Sequence, residues 1–75
     1  SNMELMLFEP ISSMTAASIE SEIRNTIKNY ENRVILQDIK VVPREDQNAY
    51  EASVTFFLEN ATLPTTVTLL LERNR

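Results

Sequence analysis

Eleven acidic residues, with no histidine and no cysteine, set the chemistry open to this 75-residue chain. Two carboxyl groups held roughly 5 to 9 Å apart can cleave a glycosidic bond, one as acid and the other as base or nucleophile. Glu9, Glu20, Glu22, Glu31, Glu45, Asp46, Glu51, Glu59 and Glu72 are the candidates. They fall on a helix flank, in turns and at strand ends, where solvated surface is the ordinary role, and no pair among them stands out. Lack of His and Cys removes the usual zinc ligands, the thiol nucleophile and the Ser-His-Asp arrangement. Lack of Gly removes the loops that cradle phosphates. No catalytic, cofactor-binding or metal-binding residue is assigned, and the chain is read as a non-enzyme. Asn60-Ala61-Thr62 fits the glycosylation sequon, a three-residue match common by chance.

One constellation has the character of a contact site. Tyr30-Glu31-Asn32-Arg33-Val34 puts an acidic and a basic side chain two residues apart, where a helical pattern gives way to a strand pattern. Arg33 can serve there by satisfying terminal helix carbonyls and the helix dipole. Alternatively Glu31 and Arg33 project from one end of the domain as a charged contact for a partner.

The helix before this constellation is the clearest element. Ile19, Ile23, Ile27 and Tyr30 recur at spacings of four, four and three, one stripe facing a core. Thr15 reads as the N-cap, with Met14 and Ile19 as a hydrophobic staple, so the helix is expected to begin at Ala16. It should stop at Tyr30 or Glu31, with Asn32 taking the left-handed terminating role in a chain without Gly. Glu20 and Arg24 stand i,i+4 on a solvated flank, worth a few tenths of a kcal/mol at about the usual magnitude.

The period then changes to two. Leu36 to Pro43 sets Ile39 and Val41 against Asp38 and Lys40, and Arg44 to Asn48 reads as a polar turn. Tyr50 to Leu58 sets Ala52, Val54, Phe56 and Leu58 against Ser53, Thr55 and Phe57. After a loop from Glu59 to Pro64, Thr65 to Glu72 sets Val67, Leu69 and Leu71 against Thr66, Thr68 and Leu70. The expected fold is α+β: one amphipathic helix packed on a three-stranded antiparallel meander (αβββ), with a short N-terminal apolar segment. In that segment Leu5, Phe8 and Ile11 either cover the domain's own core, or the segment is an interface or the stump of a removed N-terminal region. Phe57, Thr66, Thr68 and Leu70 fall on the face away from the helix. The last strand carries no charge from Thr65 to Leu71, a template for strand pairing unless the N-terminal segment covers it. It is open to a partner's strand and to self-association.

The length holds one domain with one small core. A formal net charge of −4 and a pI near 4.6 argue against nucleic acid, which needs clustered cations. The apolar run Leu5 to Phe8 is too short to span a membrane and lacks the basic flank of an export signal. Ser1-Asn2 ahead of Met3 is read as a tag remnant, with 3–75 the domain proper. The absence of Cys leaves the redox compartment open.

Phe8-Glu9, Thr15, the stripe Ile19, Ile23 and Ile27, and then Tyr30-Glu31-Asn32-Arg33-Val34 together resemble the small baseplate wedge protein of contractile-tailed phages. That family's helix ends in Tyr-Glu-Pro-Arg followed by an aliphatic residue, and its relatives include the baseplate subunit of type VI secretion systems. The resemblance runs from about Leu7 to Arg73, through Val41-Val42-Pro43 and both later strands. Asn32 stands where the family has Pro, and Asn ends a helix by another physical route. Family members carry an N-terminal region with a Gly-containing signature before the Phe-Glu position, so the chain is read as the C-terminal part of a longer member, the alternative being an unusually short relative.

The resemblance implies a structural subunit of the virion tail baseplate, made in the bacterial host cytoplasm and active in virion assembly. It implies other wedge proteins and sheath subunits as partners, a part in sheath initiation, no cofactor, and no nucleic acid or membrane partner. On it Glu31 and Arg33 hold wedge partners, and the last strand with Phe57 and Leu70 faces sheath. The label lysozyme-like attached to the family in places finds no support in these residues; a hydrolase, or a head-tail joining or regulatory protein reusing the fold, are the alternatives. A Thr68→Pro variant should keep its far-UV circular dichroism and lose partner binding; unchanged binding would remove the last strand from the contact surface.

Overall fold

A computed structural model describes residues 3–30 and 33–74, without the side chain of Tyr30. Two helices, α1 (Met3–Met6) and α2 (Ser13–Tyr30), precede three strands, β1 (Val34–Arg44), β2 (Ala49–Leu58) and β3 (Thr65–Glu72). The strands form one antiparallel sheet in the order β1-β2-β3. The αβββ meander is thus as the periodicities predict, with a short helix in the N-terminal segment.

The start of α2 differs from expectation. Its first residue is Ser13, and Ser12 is the cap: the Ser12 Oγ accepts the Thr15 N–H at 3.0 Å, and the Ser12 hydroxyl donates to the Thr15 Oγ1 at 3.1 Å. Thr15 is therefore the third helical residue, buried with its hydroxyl satisfied. The staple shifts as well. Ile11 and Ala16 flank this cap and both join the core, whereas Met14 is 80% exposed. Of two hydroxyl residues three apart, the earlier one wins because it lets Ile11 rather than Met14 reach apolar neighbours. The far end of α2 is at Tyr30, as expected, and Arg24 meets Glu20 at 3.6 Å on the exposed flank.

The core is small. Ala16, Ile19 and Tyr50 are its buried centre, with Ile23, Val41, Leu71, Met3, Met6, Leu7 and Ile11 packed around them. The N-terminal segment thus covers its own core, but through only one of the three residues its apolar density singles out. Ile11 packs inward, whereas Leu5 is 67% and Phe8 55% exposed, and Met3, Met6 and Leu7 take their place. Tyr50 anchors this end, fully buried, its hydroxyl accepting the Ser12 N–H at 3.1 Å. Beyond it, the Asn74 N–H donates to the Leu7 carbonyl at 2.7 Å and the Arg73 N–H to the Asn48 carbonyl at 2.9 Å, tying both ends of the chain together.

Strand β1 starts at Val34, two residues ahead of expectation, and bulges between Leu36 and Asp38. The extra residue, Gln37, lets Leu36 opposite Phe56 and Ile39 opposite Val54 lie on the same face although three positions apart. Both strand connections use Asn in the left-handed conformation, Asn48 at φ 53° and Asn60 at φ 68°. In a chain with no Gly, Asn tolerates that conformation best among the remaining residues.

Truncating Ile19 to Ala should cost about 2 to 5 kcal/mol of stability through an unfilled core site, and Tyr50→Phe about 1 kcal/mol through the lost acceptor for Ser12. Urea unfolding of both variants checks this order, and a larger loss from Tyr50→Phe would reverse it.

Candidate partner-binding surface

The helix covers the sheet unevenly. It lies over β1, with α1 against its side, and β3 is left at the rim. Every residue from Thr65 to Leu70 is exposed. That includes Val67 at 41% and Leu69 at 50%, although register with the buried Val54 and Ala52 puts both on the helix side of the sheet. Their alternation implies core; only the lateral position of α2 leaves them open.

The two edges of the sheet differ. Strand β1 carries a bulge, the charged Asp38, Lys40 and Arg44, and Pro43, all of which discourage pairing with another chain. Strand β3 has none of these from Thr65 to Leu71. Among the described residues, the N-terminal segment meets the C-terminal stretch at Asn74, past the end of the strand. The alternative in which that segment covers the edge is therefore not what the fold adopts.

On the face away from α2, Thr66 and Thr68 come together with β2 as cross-strand hydroxyl pairs. Thr55 and Thr66 are 3.0 Å apart, and Ser53 and Thr68 3.3 Å. Each hydroxyl thus has a partner within its own sheet, which lowers the cost of drying this face against another protein. The two apolar residues expected on the face are not neighbours. Phe57 pairs with Ile35 on β1, and Leu70 lies opposite Glu51, which Arg44 bonds at 2.9 Å. The two hydroxyl rungs separate them.

At the junction of helix and sheet, Arg33 lies in the turn entering β1 and lines an open recess with Val34, Leu58, Glu59 and Asn60. Glu31, Asn32 and the Tyr30 side chain lie outside the described residues. Sequence reasoning missed Glu59 and Leu58 here, and the exposed Ile35 and Leu63 nearby in the chain. The pairing of Val34 with Leu58 brings the recess residues together, a register fixed by the bulge. Among the described residues that line the recess, Glu59 is the one carboxylate.

A family model described as baseplate wedge protein gp25 matches residues 2–66. The chain belongs to this family. Membership makes it a structural protein of the phage tail baseplate, a wedge component that assembles with other baseplate proteins. No curated protein and no solved structure matches the chain. The family match ends two residues into β3, so the exposed edge lies mostly beyond it. No described helix is long and apolar enough to cross a membrane.

In dilute protein, the backbone amides of Thr65–Glu72 that point away from β2 should exchange with solvent far faster than the alternate amides bonded to it. Hydrogen exchange followed residue by residue checks this. Uniform protection along the strand would mean that another segment covers the edge.

Proposed function

We propose that this wedge-family domain binds its neighbours through two surfaces and helps the contractile sheath begin to assemble. At the helix–sheet junction, Arg33 with Tyr30, Glu31 and Asn32 holds other wedge proteins. At the sheet rim, β3 takes a strand from a partner, with Thr66, Thr68, Leu70 and Phe57 contributing side-chain contacts. A relative's role in a type VI secretion baseplate is the same proposal in another contractile system.

The observation that best supports this reading is the contrast between the sheet's two edges. A bulge and charges defend β1, while β3 offers an uncharged backbone rim with half-exposed aliphatic residues on both faces. Added strands gain affinity from backbone hydrogen bonds and specificity from alternate side chains. An edge left this open in a small domain is an aggregation hazard unless it has an occupant.

Pull-down against purified wedge and sheath subunits tests both surfaces. The parent should bind; folded Arg33→Ala should lose wedge subunits and keep sheath, and Thr68→Lys should do the reverse. If both variants bind everything the parent binds, neither surface carries assembly.

A further inference from the structure

We propose that, apart from any baseplate, the occupant of the β3 edge is a second copy of this chain, paired antiparallel across a twofold axis at Thr68. The inference goes beyond the baseplate reading and stands independently of it.

Antiparallel strands from two identical chains are related by a twofold axis perpendicular to the sheet, so each face meets the same face of the other copy. Facing residues must then share a face, which restricts the registers to those centred on a residue. Centring on Thr68 sets Val67 opposite Leu69 of the second copy and Leu69 opposite its Val67, two aliphatic pairs on the helix side. On the other face Thr68 meets Thr68, and Thr66 meets Leu70. Thr65 falls opposite Leu71, and Glu72 opposite Pro64 of the loop, so no charge enters the paired stretch and no two acidic groups face each other. A three-stranded sheet becomes a continuous six-stranded one, with both β1 edges outermost and already defended.

The size of the contact sets its strength. One strand edge falls well short of the roughly 1,200 to 2,000 Å² of a standard stable interface. Each copy also carries a net charge of −4, which opposes pairing until salt screens it. The pair is therefore weak, reversible and favoured by salt. It shields the edge at high concentration and yields it to a tighter partner.

The chain has no native Cys, so a single introduced thiol reports the register directly. In the paired state two Thr68 Cα atoms lie about 4.5 to 5.5 Å apart, within disulfide reach. Two Thr66 Cα atoms are offset by four residues, about 13 Å. Under mild oxidation at high protein concentration Thr68→Cys should form a covalent dimer and Thr66→Cys should not. Sedimentation of the cysteine-free proteins supplies the second arm. Thr68→Lys and Thr68→Glu, each with parental circular dichroism, should each lose the parent's concentration-dependent dimer, and an equimolar mixture should regain it, because opposite charges then meet at the axis. Recovery on mixing excludes simple misfolding. A parent that stays monomeric at millimolar concentration, or crosslinking as efficient at 66 as at 68, would overturn the proposal. A parent that does not self-pair yet still captures wedge or sheath subunits would overturn it while leaving the baseplate reading in place.

Discussion

Tyr50 is the residue on which the rest of this small domain depends. It is the second residue of the central strand, its side chain is fully buried against Ala16 and Ile19, and its hydroxyl accepts the Ser12 N–H. That one side chain joins the sheet to the start of α2 and to the N-terminal segment folded over it. A buried phenol needs a hydrogen-bond partner, and the backbone just ahead of a helix has an amide without a helical acceptor; each satisfies the other. The closing of the chain at Leu7–Asn74 and Asn48–Arg73 is built around the same end.

The buried residues lie along β1 and β2, where Ile39, Ala52 and Val54 join Tyr50, and β3 is less covered. The core residues of α2, its cap and α1 converge near Tyr50 and Leu71, and α2 otherwise follows β1. The opposite rim has little over it, so Val67 and Leu69 remain half-exposed on what would otherwise be the buried face.

Much of this was legible in the sequence. The helix, the three strands and their antiparallel order followed from periods of 3.6 and two, and β3 runs from Thr65 to Glu72 as its alternation predicts. The stripe Ile19, Ile23 faces the core as spacing requires. The cap was placed three residues late, since Ser12 and Thr15 have equal claims by type and only contacts made by Ile11 and Tyr50 separate them. The spacing of Leu36 and Ile39 already breaks alternation and could have revealed the bulge. The positive-φ turns at Asn48 and Asn60 could have been found by applying to every Asn the argument that selected Asn32.

The sequence by itself determined which side chains share a face and which edge strand lacks charge. These are local properties, set by the repeat of each element and by residue type. The tertiary structure alone decided that Leu5 and Phe8 stay outside while Met3, Met6 and Leu7 go in, that Phe57 and Leu70 lie apart, and that Val67 and Leu69 remain open. Periodicity fixes the direction in which a side chain points, but not how far a helix sits across a sheet. That lateral offset is set by packing around Tyr50, and it separates a covered strand from one left available for pairing.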